Sequence, residues 1–269
     1  MDKQGPHSVT QPNAIILTSG ITGSSVFTGL ISRAGYWTGD TTFRKSEYDT
    51  YENEELIQLN EKLLKEAGYT GDYTREFSHD AISAVASLFG KTDARAYRIF
   101  VDKCNARRPW VWKDPRLWLT IRFWKNFLKL DDCRFILITR DLMQSWVSQT
   151  LRRRIQTYRY TRYYEEGIKN SIISFFTENN LRHLHLQYDE LVFHPDKTLQ
   201  AINGYLQTNL TVSDLSNVYH KPLYRRARRS MLEHVKAVLI YMKNYSERLD
   251  LAPNRTAEDQ IALKKPSSD

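Results

Sequence analysis

Residues 13–25 read NAIILTSGITGSS, and this stretch decides the fold. Its first part, at 14–17, is a continuous apolar run, which is typical of a strand buried on both faces of a parallel sheet. The loop that follows combines glycines with hydroxyl side chains: Gly20, Thr22, Gly23, Ser24 and Ser25. Glycines let backbone N–H groups converge on one anion, and a helix from about residue 24 adds its positive dipole end. The order of strand, loop and helix predicts a phosphate-binding loop, with an ordinary turn carrying incidental serines as the alternative.

This loop departs from two widespread nucleotide-binding patterns. No lysine precedes Ser24, so the GxxxxGK[ST] pattern of ATP and GTP hydrolases is missing, and Mg²⁺ held in their manner is not expected. The GxGxxG pattern of dinucleotide sites is missing too. The two cysteines, Cys104 and Cys133, offer no zinc spacing. We therefore expect an anion site that works without a metal.

Outward from this stretch, short β-type runs alternate with longer helical patterns. Further strands are predicted at 110–112, 134–139 and 184–186, with a short element at 36–38. Helices are predicted at 24–34, 52–67, 81–89, 94–107, 117–130, 195–206 and 232–249, and from residue 142. Residues 40–51 are polar and aromatic and are predicted to form a surface loop. The alternation predicts an α/β fold of three layers, α/β/α, around a central parallel sheet.

Length, composition and charge indicate the domain organisation, the compartment and the kind of partner to expect. We expect one domain over 13–252, between loose ends at 1–12 and 253–269. The 269 residues contain no apolar run long enough for a transmembrane helix and no signal-peptide core at the start. Two cysteines fit a reducing compartment, so we expect a cytoplasmic protein. The net charge of +8 favours anionic partners, or simply a solvated basic surface.

A second candidate anion site follows the apolar strand at 134–139. Arg140 ends this strand, and Ser148 comes eight residues later, about two turns into the next helix. Because ligands of open α/β sheets lie beyond the carboxyl ends of the strands, Arg140 and the glycine loop should flank one crevice. An arginine fork with a serine hydroxyl suits a phosphate. The alternative is an ordinary ion pair of Arg140 with Asp141 or another acid.

Taken together, these residues resemble the PAPS-dependent sulfotransferases. In that family a strand–loop–helix, usually with an Arg- or Lys-Ser-Gly-Thr-Thr/Ser pattern, binds the 5′-phosphosulfate, and the segment 20–25 corresponds to it. An arginine at a strand end, with a serine eight residues on, binds the 3′-phosphate, and Arg140 and Ser148 match this spacing. The resemblance implies a P-loop-like sulfotransferase architecture and metal-free, in-line sulfuryl transfer from PAPS, which leaves PAP.

Two further segments carry the same resemblance. WKDPRL at 112–117 looks like the KDPRL segment of many bacterial members. YDEL at 188–191, followed by Pro195 and Leu199, resembles the family's Y-E-D-L…P segment. The likeness spans about residues 13–230, and four motifs in the same order make it specific.

Two departures from the family pattern direct attention to other cations. Ile21 stands where the loop normally has arginine or lysine, and the C-terminal Gly-rich, Lys-containing motif of the cytosolic members is missing. Lys113 ends a strand and is our candidate catalytic cation, with a salt bridge to Asp114 or another acid as the alternative. Candidate substitutes at the 3′-phosphate are the arginines of a basic stretch, Arg225, Arg226, Arg228 and Arg229.

The acceptor side of the reaction is less defined by sequence. Asp40 follows Gly39 as an acid does in related bacterial sulfotransferases, so it is the candidate general base, and a turn or capping role is the alternative. His79 and Asp102 are weaker candidates. Residues 40–80 and 151–180 should form much of the acceptor pocket. The acceptor is a hydroxyl or amine compound, and the basic charge is compatible with an anionic one; carbohydrate, lipid-linked sugar, phenol and peptide tyrosine stay open.

Two other functions compete with sulfuryl transfer. A metal-free, kinase-like transferase would use the same loop, but the missing loop lysine counts against it. A non-catalytic protein that binds a nucleotide or a nucleic acid would explain Ile21. The segments 151–164 and 221–230 interleave or cluster arginines in a way that suits nucleic acid, yet no recognised nucleic-acid motif accompanies them, so such a partner is not expected.

Overall fold

A computed structural model describes residues 11–46, 48–218 and 231–251. The strands are β1 (Asn13–Thr18), β2 (Thr42–Arg44), β3 (Asp49–Asn53), β4 (Val111–Lys113), β5 (Cys133–Thr139) and β6 (His183–Gln187). The helices are α1 (Ser24–Arg33), α2 (Glu54–Glu66), α3 (His79–Ala86), α4 (Arg95–Asn105), α5 (Leu117–Trp124), α6 (Leu142–Leu151), α7 (Tyr158–Glu178), α8 (Tyr188–Phe193), α9 (Pro195–Leu206), α10 (Val212–Val218) and α11 (Met231–Lys243).

Four parallel strands form the central sheet, in the order β4-β1-β5-β6. All six residues of β1 are buried, and their side chains alternate between two cores. Ile15 and Leu17 pack on one face with α2, α3, α4, α5 and α7, whereas Ala14 and Ile16 pack on the other with α1, α8, α9 and α10. This arrangement confirms the three-layer α/β/α fold, and it places the carboxyl ends of β1, β4 and β5 at one edge.

Beside this sheet, β2 and β3 form an antiparallel hairpin. The prediction of a surface loop at 40–51 is therefore wrong for half of this segment. Side-chain hydrogen bonds explain how so polar a stretch holds two strands: Thr42 Oγ1 donates to Asp49 Oδ2 at 2.8 Å, and Thr50 Oγ1 donates to the Phe43 carbonyl at 2.6 Å. These bonds satisfy polar groups that an apolar strand pattern would not signal.

Several helix boundaries differ from the sequence prediction, and the largest differences are at two helix ends. The helix expected at 117–130 ends at Trp124, and the one expected at 232–249 ends at Lys243. The 21-residue α7 was not predicted as a separate helix, because its arginines and tyrosines mask the buried stripe that includes Tyr164, Ile168, Ile172 and Phe175.

The remaining predictions about organisation concern the ends of the chain and its surroundings. Residues 1–10 and 252–269 lie outside the described residues, so the loose ends and the single-domain boundaries stay predictions. No helix in the described ranges has the length and hydrophobicity of a membrane span. The cytoplasmic location stays a prediction as well.

Candidate active site

The glycine loop turns sharply between β1 and α1. Gly20 and Gly23 have φ of +82° and +79°, and Ile21 also takes a left-handed φ of +54°. A β-carbon at Gly23 would lie 2.1 Å from the Tyr188 ring, so only glycine fits there. A β-branched residue such as Ile21 rarely adopts this conformation, and strain of this kind is concentrated at functional sites.

The glycine loop ends at the first turn of α1. Gly23 is the N-cap residue of α1, and its position provides no side-chain hydrogen bond to the first turn. The unbonded N–H groups of a helix start attract anions, as does the positive end of the helix dipole. Thr22, in contrast, is fully buried and its hydroxyl bonds to that of Thr18. It therefore supports the loop from behind.

A buried carboxyl group connects the loop to α6. Glu165 of α7 accepts hydrogen bonds from Ser19 Oγ, at the start of the loop, and from Ser145 Oγ of α6 at 2.6 Å. The adjacent Tyr164 hydroxyl donates to the Ser19 carbonyl at 2.6 Å. Burial raises the pKa of Glu165, although both serine hydroxyls and Arg140 oppose the shift. Through these contacts α7 fixes the position of the loop relative to α6.

A cavity of about 450 Å³ lies beyond the carboxyl ends of the strands. Seven of the predicted site residues line it: Gly20, Gly23, Ser24, Ser25, Lys113, Arg140 and Ser148. The structure thus brings the glycine loop and the arginine after β5 to one crevice. A second cavity of about 220 Å³, between α6 and α11, shares Arg140 and Ser148 with the first.

The guanidinium of Arg140 bridges the loop and α8. Its Nη1 donates to the Ile21 carbonyl at 3.5 Å, and the group lies 5.2 Å above the Tyr188 ring centroid. Its Nε is buried and has no hydrogen-bond partner among the described residues. A buried donor without a partner is costly in a folded protein, which makes Arg140 a candidate for binding an anion. Ser148 lies on the same wall, where its Oγ accepts a hydrogen bond from Arg152 Nη1.

Lys113 occupies the cavity floor next to the loop. Its Nζ lies 3.3 Å from Ser25 Oγ and forms a salt bridge with Glu52 of β3. Only 4% of Lys113 and 8% of Glu52 are exposed, and both line the cavity. The salt-bridge alternative is thus realised, but with Glu52 and not with Asp114. Because this ion pair opens onto the cavity beside the loop, it can serve chemistry as well as packing.

Asp114 and Arg116 support this floor from below. The fully buried Asp114 accepts hydrogen bonds from Asn60 Nδ2 at 3.1 Å and from the backbone N–H of Arg116 at 2.8 Å. Arg116 forms salt bridges with Asp114 and, at 2.6 Å, with Glu61, and its guanidinium lies 4.6 Å from the Tyr73 ring centroid. The KDPRL-like segment therefore turns the chain after β4 and holds Lys113 at its end.

Asp40 is not among the residues that line this cavity, so the geometry does not favour its assignment as the general base, which stays a prediction. Its side chain is 47% exposed and forms salt bridges with Lys103 at 3.0 Å and Arg107 at 3.4 Å. The hydrogen bond from Lys103 and the two positive charges lower the pKa of Asp40, which makes it a poorer base. His79 and Asp102 do not line the cavity either.

Glu52 was missed by sequence reasoning. It stands in the acidic run YENEE at 51–55, where one carboxylate cannot be told from its neighbours, and it was assigned to the start of a helix. β3 packs beside β4, and this tertiary contact alone brings Glu52 to Lys113. The position of Glu52 at the start of a predicted helix was the only signal in the sequence.

The predicted acceptor segments do contribute to the cavity wall. Those at 40–80 supply Phe43, Lys45, Tyr48, Glu52, Ile57, Glu61, Tyr73 and Thr74. The segment at 151–180 supplies Arg152 and Arg154. Arg225, Arg226, Arg228 and Arg229 lie outside the described residues, so their role stays a prediction. Within the described ranges no group of three or more His, Cys, Asp or Glu side chains is arranged to hold a metal ion.

The sequence of this chain matches one family model. A family model described as "Sulfotransferase family" matches residues 37–212, a range that includes Glu52, Lys113, Arg140 and Ser148 and begins after the glycine loop. No curated protein matches this chain.

Solved structures similar to this chain have low sequence identity. The sulfotransferase domain from the Synechococcus PCC 7002 olefin synthase is 17% identical, with 98% of this chain and 96% of that chain covered and a TM-score of 0.47. The sulfotransferase domain from the curacin biosynthetic pathway is 15% identical, with 94% and 96% covered and a TM-score of 0.48. Sulfotransferase STF9 from Mycobacterium avium is 13% identical, with 90% and 78% covered and a TM-score of 0.43.

Proposed function

This chain belongs to the sulfotransferase family, and we propose that it transfers a sulfuryl group from PAPS to a hydroxyl or amine of its acceptor. One observation carries this proposal: the glycine loop and Arg140, two anion-binding elements from different strand ends, line the same cavity. A donor with a 5′-phosphosulfate and a 3′-phosphate has two separate anionic groups, which such an arrangement can bind together.

Residues 18–25 together with Arg140 and Ser148 form what we call the donor side. The backbone N–H groups of 23–25 and the hydroxyls of Ser24 and Ser25 would hold the 5′-phosphate. The buried and unsatisfied Nε of Arg140 supports its assignment to the 3′-phosphate, together with Ser148 Oγ. Arg228 and Arg229 stay candidates for further contacts to that phosphate.

Lys113 is proposed as the catalytic cation. PAPS supplies an activated sulfuryl group, and negative charge develops on the oxygen of its leaving phosphate during transfer. A preorganised cation in a buried site stabilises such charge far better than one in water. Lys113 Nζ next to Ser25 Oγ supplies the positive charge that Ile21 does not bring to the loop. This contact favours catalysis over the purely binding function that Ile21 alone would suggest.

Glu52 is proposed as the general base in place of Asp40. Its carboxylate lines the cavity beside Lys113, so it can accept the proton that the acceptor hydroxyl or amine loses as it attacks. The ion pair then has two roles: Lys113 faces the leaving group and Glu52 faces the nucleophile. No metal ion enters this scheme, which is consistent with the departure of the loop from the GxxxxGK[ST] pattern.

Calorimetric titration with PAP, PAPS and ATP tests the proposal. PAP and PAPS should bind more tightly than ATP, because only they carry a 3′-phosphate for Arg140. Arg140→Ala should weaken PAP binding by about 10-fold to 100-fold, the effect of removing a charge-assisted hydrogen bond to a phosphate. Arg98→Ala, on the exposed face of α4, is the matched control. Tighter binding of ATP than of PAP would favour the kinase-like alternative and contradict the sulfotransferase mechanism.

A further inference from the structure

The cavity carries more positive charge than its own carboxylates balance. Two acids line it, and each has a cation partner: Glu52 pairs with Lys113, and Glu61 pairs with Arg116 at 2.6 Å. Four further cations line the same cavity: Lys45, Arg140, Arg152 and Arg154. Arg140 belongs to the donor side, and Arg152 contacts Ser148 there. Lys45 and Arg154 are therefore the two whose role the donor does not explain.

Lys45 and Arg154 contact only uncharged groups among the described residues. Arg154 Nη1 donates to Thr74 Oγ1 at 2.7 Å, and Lys45 Nζ lies 5.7 Å from the Tyr48 ring centroid. Neither forms a salt bridge with a carboxylate in the described part of the chain. Cations gathered on a cavity wall raise the local concentration of anions and bind them once water is excluded.

The backbone just before Arg154 adopts an unfavourable conformation. α6 ends at Leu151, and the chain reverses through Arg153 with a left-handed φ of +58°. The backbone N–H of Arg154 then bonds to the Gln149 carbonyl at 3.1 Å, and its side chain reaches Thr74 on the opposite segment. A non-glycine residue in this conformation is strained, and such strain is retained where a side chain must be aimed.

Both cations lie on the side of the cavity that carries the general base. Lys45 belongs to the same hairpin as Glu52, and Thr74 follows Tyr73, which stacks on Arg116 beside the Lys113 strand end. We call this wall, made by the β2–β3 hairpin, Ile57 of α2, the segment 73–74 and Arg154, the acceptor side. Besides Glu52 and Thr74, this wall carries four apolar or aromatic side chains: Phe43, Tyr48, Ile57 and Tyr73.

From this combination we infer that the acceptor is an anionic amphiphile. Arg154 and Lys45 bind a carboxylate, phosphate or sulfate of the acceptor, and the aromatic and aliphatic side chains contact its apolar body. The acceptor hydroxyl or amine then lies towards Glu52 and Lys113. This inference rests on the donor site proposed above, because it assigns the part of the cavity that the donor leaves open.

Binding of simple naphthyl probes to PAP-saturated protein tests the inference. We would titrate 2-naphthoate, 2-naphthyl phosphate, 2-naphthyl sulfate and neutral 2-naphthol by calorimetry. At least one anionic probe should bind about 10-fold more tightly than 2-naphthol, which is the gain expected from a charge-assisted hydrogen bond. The order of the three anions identifies which head group the site prefers.

Substitutions at Lys45 and Arg154 test whether these two cations cause the tighter binding of the anionic probe. Arg154→Gln and Lys45→Gln should each reduce the preference for the anionic probe and leave PAP affinity unchanged. Arg154→Lys keeps the positive charge but lacks the planar guanidinium, so it should retain part of the preference for the anionic probe. Arg98→Gln removes an exposed arginine of α4 and should change nothing. Thermal melts confirm that each variant is folded.

Three results would overturn the inference: equal binding of 2-naphthol and the anions, no detectable binding of any probe, or a loss of PAP affinity in Arg154→Gln. The last result would assign Arg154 to the donor side. Failure of the proposed function looks different, since PAP itself would then not bind. In that case the same probes are titrated against the free protein, and a preference for anions that depends on Arg154 would still support the anion site.

Discussion

The donor side and the acceptor side of one cavity are built in different ways. The donor side consists of strand ends and the glycine loop, and the hydroxyl side chains that support it are buried: Thr18, Ser19, Thr22 and Ser145. The acceptor side consists mainly of a hairpin and connecting segments, and Phe43 and Lys45 there are exposed. A fixed donor suits the first construction, whereas acceptor specificity can change through single side chains in the second.

The ion pair between Lys113 and Glu52 joins these two sides, so its removal should have the largest effect. Lys113→Gln should lower kcat by about 100-fold to 1,000-fold, the loss expected when one preorganised donor to a developing charge is removed. PAP affinity should fall much less, because the loop and Arg140 stay in place. Turnover is measured as PAP release from PAPS, and binding by calorimetry.

Lys103→Gln is the control for this prediction, since Lys103 forms its salt bridges with Asp40 and Glu55 away from the cavity. Lys113→Gln leaves Glu52 buried without its partner, so the double variant with Glu52→Gln is measured as well. A kcat within about 3-fold of wild type in a folded Lys113→Gln protein would mean that the ion pair is structural only.

Glu52 and Asp40 allow a direct comparison of an acid that lines the cavity with one that does not. Glu52→Gln removes the proposed base and should lower kcat by about 100-fold or more, because a well-placed general base contributes at least that much. Asp40→Asn should leave kcat unchanged and have little effect on the unfolding free energy, as expected for an exposed ion pair. Steady-state turnover and urea unfolding are measured for both variants. A larger loss of kcat in Asp40→Asn than in Glu52→Gln would favour Asp40 as the base.

Sequence patterns predicted most of the donor side and little of the acceptor side, and the reason is physical. A parallel strand buried on both faces is a continuous apolar run, so β1 and β5 and the residues that end them, such as Arg140, can be located from the chain itself. The hairpin is held by side-chain hydrogen bonds between polar residues, which leave no such pattern. Glu52 and Lys113 are 61 residues apart in the chain, and they meet only because β3 packs on β4.

The glycine loop of the donor side has no space for a methyl group at Gly23, so substitution there should affect both stability and PAP binding. Gly23→Ala would place a β-carbon 2.1 Å from the Tyr188 ring at a φ of +79°. The left-handed backbone and the overlap together should lower the unfolding free energy by about 2–4 kcal/mol, and PAP affinity should fall with the distorted loop. Gly90→Ala has nearly the same φ, +82°, but meets nothing within 4 Å, so it should lose only about 1–2 kcal/mol and bind PAP normally. Equal losses in both variants would show that the Tyr188 contact is unimportant.

Glu165 should give the smallest effect, and it tests how firmly the loop is fixed to α6. Because burial raises the pKa of Glu165 above its ordinary 4.5, the folded state binds its proton more tightly than the unfolded state does. This contribution to stability is fully present below the ordinary pKa and is lost as pH rises through the folded-state pKa. Glu165→Gln, which cannot ionise, should therefore gain stability relative to wild type as pH rises from 4 to 8, as measured by urea unfolding across that range.

The same substitution removes the acceptor of one of two serine hydroxyls, because a Gln side chain has a single carbonyl oxygen where the carboxylate has two oxygens. Glu165→Gln should therefore weaken PAP binding modestly, by about 3-fold to 10-fold, the net value of one hydrogen bond. Glu166→Gln removes the neighbouring carboxylate, which bonds to Arg162 and not to the loop, and serves as the control. Parallel changes in the two variants would mean that Glu165 acts through general charge. A loss confined to Glu165→Gln would show that α7 sets the spacing between the loop and Arg140, and that the donor side depends on support from behind as much as on the groups that face the ligand.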